Sequence, residues 1–204
     1  MIDLRKGECI EVMKSIPDGS IDAIITDPPY GTTACKWDSV IDFDLMWEQL
    51  NRIIKPNGAI VLFGSEPFSS ALRMSNIKNY KYDWYWEKTS ASNYLNAKKQ
   101  PLRLYEIISV FYKKQPTYNP QGLVKGVFKN SRPINSKKVE GNKVYRQERE
   151  FDCSDYGNYP KNKLHFANPN KNSLHPTQKP VALMEYLIKT YTNEGEVVLD
   201  FTMG

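Results

Sequence analysis

The chain has 204 residues, 40% of them hydrophobic and 25% charged, with a net charge of +5; this describes one soluble globular domain with an added segment, not a multi-domain assembly. No apolar run approaches the ~20 residues that a spanning helix needs, and the opening MIDLRKGECIE lacks the basic-then-apolar pattern of a signal peptide, so neither membrane insertion nor export is expected. Cys9, Cys35 and Cys153 are scattered without a C-x-x-C pair and there are two histidines, so no disulfide framework and no metal site is expected, and a reducing cytoplasm fits.

Residues 2–4 read as a short strand and 10–15 as a helical turn, followed by the turn signal Pro17-Asp18-Gly19-Ser20. Residues 21–26 (IDAIIT) are apolar and β-branched, the profile of a strand buried on both faces, and they run straight into Asp27-Pro28-Pro29-Tyr30. Phe43, Met46, Trp47, Leu50, Ile53 and Ile54 recur at spacings of three and four, which predicts an amphipathic helix over 43–54, stopped by Lys55-Pro56-Asn57-Gly58. Residues 59–63 (AIVLF) predict a second buried strand. Strand, helix and strand in this order predict a parallel crossover unit, hence an α/β fold with a mostly parallel, Rossmann-like sheet. The runs 82–86 and 106–112 predict an antiparallel edge to it.

Residues 113–172 show no sustained period and predict an irregular insert. They hold 13 Lys/Arg against 5 Asp/Glu, a net +8, while the remainder of the chain carries −3. A surface for phosphate backbones has this charge, and so does a solvated insert. Order returns at His175-Pro176-Thr177-Gln178-Lys179-Pro180, which leads into a helix over 181–191 with Pro180 suited to its first position. Residues 196–201 (EVVLDF) predict a last buried strand. Its continuation into Thr202-Met203-Gly204 reads as the opening of a glycine-rich turn around a nucleotide-like cofactor, so a complete domain is expected to extend past Gly204. There is no internal repeat.

The sharpest chemical signal is Asp27-Pro28-Pro29-Tyr30 at a strand end. Two prolines stiffen the backbone and remove two N–H donors, leaving carbonyls as acceptors. A carboxylate, a rigid carbonyl and an aromatic ring within four residues suit a planar group bearing an NH₂, whose two hydrogens Asp27 and the Pro28 carbonyl would accept while Tyr30 stacks on its face. A plain proline turn is the alternative for this motif taken by itself.

DPPY after an apolar strand, a downstream HPTQKP and a strand ending LDFTMG together resemble the DNA amino-methyltransferases, in the permuted motif order of their beta class. The resemblance runs over most of the chain and implies transfer of a methyl group from S-adenosylmethionine to an exocyclic amine of a flipped base in double-stranded DNA. It implies that Asp27, Pro28, Pro29 and Tyr30 form the catalytic motif, with aspartate at its head favouring adenine N6 over cytosine N4. Asp200, Phe201 and Gly204 match the opening of the cofactor loop, although Thr202 and Met203 both lie between Phe201 and Gly204. His175, Thr177 and Lys179 match the segment over the methionine end of the cofactor. Glu8 stands where the family often has aspartate near the adenine ring, and Asp27 also borders the cofactor.

Residues 1–112 would then be the catalytic half, 113–172 the target-recognition insert and 173–204 the start of the cofactor-binding half. Within the insert, Lys125, Lys129, Arg132, Lys137, Lys138, Lys143 and Arg146 are the expected phosphate contacts. A homodimer is left open. A truncated, non-catalytic DNA-binding remnant is the alternative reading, and methylation of RNA or of a protein amide would better suit asparagine at position 27. Trp37, Trp84 and Trp86 are expected in the core or a pocket wall, and His165 in a structural or exposed place.

Overall fold

The computed structural model describes residues 2–32, 38–130, 138–140, 143–145, 152–169 and 178–203. The chain divides into two compact units, one made of residues 1–119 with 161–204 and the other of residues 120–160.

In the first unit, helix α1 (Cys9–Lys14) starts where the Glu8 side chain accepts the Glu11 N–H, satisfying one of the donors that a first turn leaves free. Strand β1 (Ile21–Thr26) follows a turn in which Gly19 takes a positive φ of 58°. Helix α2 (Phe43–Ile53) is capped by Asp42, whose carboxylate accepts the Leu45 N–H, and it buries Met46, Trp47, Leu50 and Ile53. Strand β2 (Ile54–Gly64) begins directly at the helix end, five residues earlier than the apolar run suggested. Helix α3 (Phe68–Ser75) comes next, then strands β3 (Tyr80–Ser92) and β4 (Arg103–Phe111).

The sheet order is β10-β1-β2-β4-β3-β9, where β9 is Lys163–His165 and β10 is Val198–Leu199, the strand that follows helix α4 (Val181–Tyr191). β10 and β2 both pair parallel with β1, β9 pairs parallel with β3, and β4 runs against both of its neighbours. The two runs expected to pair antiparallel do so as β3 and β4, and the three-residue β9 adds one short strand outside them. Two further expectations need correction. Residues 2–4 form no strand, leaving Ile2 and Leu4 exposed, and the last strand is confined to two residues of 196–201.

Alternation along the strands divides the core into two faces. Ile24, Ile60 and Leu62 pack with α1, α2 and α3, whereas Ala23, Ala59, Val61 and Phe63 pack with Trp84, Trp86 and the Leu183, Leu187 and Tyr191 face of α4. Ala23 and Ala59 sit side by side in the β1–β2 register, and their small side chains leave room for the helix above them. Trp84 and Trp86 are core residues, as expected, while Trp37 lies outside the described residues. Among the described residues, no helix is long and apolar enough to cross a membrane.

The second unit is not irregular throughout: its strands β5 (Val124–Asn130) and β8 (Asp152–Gly157) pair antiparallel, as do β6 (Lys138–Glu140) and β7 (Lys143–Tyr145). Asn158, at a φ of 59°, closes the first pair by donating to the Gly122 carbonyl at 2.8 Å. The sequence missed these ladders because short polar strands leave no apolar alternation to read.

Tyr191 ties the α4 face together. Its hydroxyl accepts the Trp84 indole N–H at 2.6 Å and lies 3.0 Å from the Tyr82 hydroxyl. Replacing Tyr191 with Phe leaves the buried Trp84 donor unpaired, so Tyr191→Phe should cost about 1–3 kcal/mol, read as a lower urea midpoint at unchanged slope.

Candidate active site

Asp27 leaves β1 at the carboxyl end of the parallel strands, where open α/β sheets bind their ligands. The ends of β2 and β3 and the start of β4 meet it there, because β4 runs the other way. A shallow hollow bordered by Lys55, Asn76, Asn79 and Lys113 lies at the opposite end of the sheet and holds none of the predicted site residues.

Both carboxylate oxygens of Asp27 are engaged. Oδ1 accepts the Tyr30 hydroxyl, and Oδ2 pairs with the Lys179 ammonium, which arrives from the residues just before α4. Lys179 also lies 3.5 Å from Glu106 Oε2 on β4 and 5.3 Å from the centre of the Phe63 ring. Glu106 in turn pairs through Oε1 with Lys88 of β3. The result is a chain of alternating charge, Asp27, Lys179, Glu106 and Lys88, drawn from four elements. The buried Oε2 of Glu106 has no hydrogen-bond partner among the described residues.

Tyr30 is held on the other side by Phe68, with ring centres 5.0 Å apart and planes 31° apart, and Phe43 extends the row at 5.7 Å from Phe68. Burial, with the Asp27 charge beside it, pushes the Tyr30 phenol well above its ordinary range, so it remains a donor. The turn after Tyr30 is fixed by Asp38, which accepts the Gly31 and Thr32 N–H groups at 2.9 Å each, with Gly31 at a φ of 68°.

The end of β10 completes the cluster. Thr26 donates to Asp200 and lies 2.6 Å from the Thr202 hydroxyl, which itself donates to the Asp27 backbone carbonyl at 3.0 Å. Burial raises the Asp200 carboxyl above its usual range, against the opposing effect of the Thr26 hydroxyl and the Thr202 N–H. Phe201 is partly buried and packs, like Tyr30, on the core beside α1 and α2.

The structure thus brings Asp27, Tyr30, Lys179 and Asp200 together, with Pro28 buried beside them. Glu8 is an exposed helix cap, its carboxyl held below the usual range chiefly by the Glu11 N–H. His175, Thr177 and Gly204 lie outside the described residues, as do Arg132, Lys137 and Arg146 and the side chains of Lys129, Lys138 and Lys143. Lys125 is exposed on β5, and His165 is exposed on β9 with Nδ1 3.1 Å from Glu87. Sequence reasoning missed Thr26, Glu106, Lys88 and Thr202. Thr26 ends the apolar strand beside the motif and Glu106 is a lone acid in the apolar run LYEIISVF, but spacing along the chain gives neither of them a partner.

Because the Asp200 carboxyl is harder to ionise when folded than when unfolded, its contribution to stability is full below the ordinary carboxylate range and is lost as pH rises through the raised value. Asp200→Asn, which keeps an acceptor for Thr26, should therefore gain stability relative to the parent chain on going from pH 4 to pH 7, as read by urea midpoints. An identical offset at both pH values would contradict the raised carboxyl.

Known proteins resemble this chain in sequence and in fold. A sequence model described as DNA methylase, of the N6 and N4 methyltransferases, matches residues 21–204. The type II methyltransferase M.HpaI of Haemophilus parainfluenzae is 30% identical over 216 residues, covering 96% of this chain and 61% of that protein. The DNA adenine methyltransferase YhdJ of Escherichia coli (strain K12) is 28% identical over 230 residues, covering 97% and 71%. The chain therefore spans about three fifths to seven tenths of the length of these two relatives. Among solved structures, the M1.HpyAVI-SAM complex superposes with a TM-score of 0.59 at 23% identity, over 98% of this chain and 82% of that one. The cytosine-N4-specific PvuII DNA methyltransferase does so at 0.63 and 16%, over 95% and 71%. At these identities the structural likeness carries the fold, a Rossmann-like methyltransferase sheet. The family match covers nearly the whole chain, and the chain belongs to the N6 and N4 DNA methylases.

Proposed function

We propose that this chain transfers a methyl group from S-adenosylmethionine to the exocyclic amine of a flipped base in double-stranded DNA, with adenine N6 as the acceptor. The observation that carries the proposal is the convergence of Asp27, Tyr30, Lys179 and Asp200 at the carboxyl end of the sheet. The aspartate that heads the DPPY motif supports adenine, as does the name of the relative YhdJ, a DNA adenine methyltransferase.

S-adenosylmethionine supplies a methyl group activated by a sulfonium. The residues present suit such a cation: the carboxylates of Asp27, Glu106 and Asp200 border the site, one of them with a buried oxygen that has no hydrogen-bond partner among the described residues. Asp200, Phe201, Lys179, Asp27 and Glu8, with His175, Thr177 and Gly204, are the residues assigned to hold it.

An exocyclic amine conjugated to a base is a poor nucleophile. Acceptance of its two hydrogens by the Asp27 carboxylate and the Pro28 carbonyl draws its lone pair out of conjugation and aims it, so the chain works by positioning and electrostatics. Asp27 acts as an orienter, the methylated amine sheds one of its protons after transfer, and no covalent enzyme intermediate is required. Each Asp27 oxygen accepts one contact, from Tyr30 or from Lys179, and an amine hydrogen would share that oxygen or displace the partner. Lys179 has a second carboxylate within 3.5 Å at Glu106, and the Tyr30 ring is already braced by Phe68 on the side away from a stacked base. Stacking there would recover about 1–3 kcal/mol of the cost of flipping. The basic residues of the insert, Lys125, Lys129, Arg132, Lys137, Lys138, Lys143 and Arg146, are assigned to phosphates.

Asp27→Asn should lower methyl transfer by about 10²–10³-fold, the range for losing one preorganised electrostatic partner. Labelled methyl transfer to duplex DNA, followed by mass spectrometry of the nucleosides, tests the reading directly. N6-methyladenine is the expected product. N4-methylcytosine would overturn the choice of base, and undiminished transfer by the variant would remove Asp27 from the reaction.

A further inference from the structure

The loop that joins β3 to β4 is unlike the rest of the first unit. Between Lys88 and Tyr105 the sequence has no acidic residue, and it carries Lys98, Lys99 and Arg103, all exposed. At its tip a single 3₁₀ turn, residues 94–96, presents Tyr94 at 74% and Leu95 at 85% exposure, with Leu102 and Tyr105 also exposed along the return strand. Two adjacent large apolar side chains held in water give this basic loop an exposed apolar tip.

The exposure is imposed by a built turn. Asn93 adopts the left-handed conformation at a φ of 69°, and its side-chain oxygen accepts the Asn96 amide at 2.7 Å. The Asn96 carbonyl accepts the N–H groups of Lys99 and Gln100 at 2.8 and 3.0 Å. At the neck, Asn168 Oδ1 accepts the Thr89 N–H at 3.0 Å, and Ser92 donates to the Arg103 carbonyl at 3.3 Å. Tyr94 and Leu95 are thus presented outward by the backbone itself.

Its location is equally specific. Arg103 reaches Ser65, next to the end of β2, at 3.2 Å, and three residues further along β4 Glu106 joins the ion chain that ends on Asp27. The loop therefore stands on the rim of the DPPY site, at the same end of the sheet.

We propose that this loop is a second DNA-contacting element, distinct from the basic insert: Lys98, Lys99 and Arg103 contact phosphates beside the target base, and Tyr94 and Leu95 enter the base stack there. The proposal rests on the DNA methyltransferase reading above and deepens it. Cations around an apolar tip match the chemistry of a duplex that must be gripped and opened at one place, since apolar side chains used as wedges unstack base steps while Lys and Arg hold the backbone. Opening the stack beside the acceptor is the step that flipping requires.

The test is duplex binding by fluorescence anisotropy across about 50–200 mM salt. Lys98→Gln with Lys99→Gln should reduce the log–log salt slope by about 1.8, making the affinity loss over that range about tenfold smaller than for the parent. Tyr94→Ala with Leu95→Ala should weaken binding at least about fivefold at unchanged slope. Lys78→Gln with Lys81→Gln, on exposed residues at the opposite end of β3, should match the parent. If the parent binds in a salt-dependent way and both loop variants bind identically to it, the loop proposal fails and the methyltransferase reading stands. If the parent shows no salt-dependent binding, the reading of DNA as substrate fails as well. If the Tyr94 and Leu95 variant changes a dimer into a monomer by sedimentation without altering DNA affinity per protomer, the apolar tip is an interface between copies and the proposal is overturned.

Discussion

The parallel pairing of β10 with β1 makes one site out of segments more than 170 residues apart. Ala23 and Ile24 pair with Val198 and Leu199, and the Asp22 carboxylate accepts the Val197 N–H at 2.9 Å, so a strand of two residues is fixed in register. Two residues of ladder are too little to hold a sheet edge. What secures them is α4, whose Leu183, Leu187 and Tyr191 are buried over Ala23 and Ala59. One continuous segment therefore delivers Lys179 at the start of α4 and Asp200 after β10, and packing of the apolar helix face places both against β1. The entropy of closing so long a loop grows only slowly with its length, and the burial of α4 offsets it.

The same arrangement concentrates charge where strands end. Thr26 is fully buried, yet its hydroxyl meets Asp200 and Thr202 rather than the core, so the last residue of β1 is spent on the site. Asp200 is left partly desolvated, and the Thr26 hydroxyl and Thr202 N–H offset this only in part, so its carboxyl is displaced upward. Rules of sequence consistency are broken at functional positions and repaired elsewhere, and here the repair is the apolar core on both faces of the sheet.

What was legible in the sequence follows from the range of the forces involved. The α2 stripe, the α4 stripe and the IDAIIT strand were readable because burial imposes a period on neighbouring residues, and DPPY was readable because two prolines at a strand end have few structural uses. Helix α3 was not, since Phe68, Ser69 and Leu72 are its buried face and three contacts in a segment framed by Pro67 and Asn76 make a weak stripe. Strand β2 begins through Lys55 and Pro56 because β1 is there to pair with Ile54, a fact that no local propensity contains. Residues 2–4 have strand-like side chains and no partner, so they do not form one. Glu106 and Thr26 were invisible as site residues for the same reason: their partners come from α4 and β10, and spacing along the chain says nothing about which strand ends become neighbours.

The ion chain shows why those unread partners matter. Buried pairs contribute little to stability once desolvation is counted, and removing one member strands the charge of the next. A row of Asp27, Lys179, Glu106 and Lys88 is therefore a poor device for holding a fold together. It is a good one for rearrangement, because Lys179 stands between two carboxylates and can pass from one toward the other without changing the total charge of the site. The Asp27 oxygen it would leave lies at the strand end, while the Glu106 oxygen it would approach has no hydrogen-bond partner among the described residues. Lys88 keeps the second oxygen of Glu106 engaged throughout, so the carboxylate need not move to receive Lys179. Such a shift leaves Asp27 held by the Tyr30 hydroxyl alone, while Lys179 keeps a charged partner in Glu106.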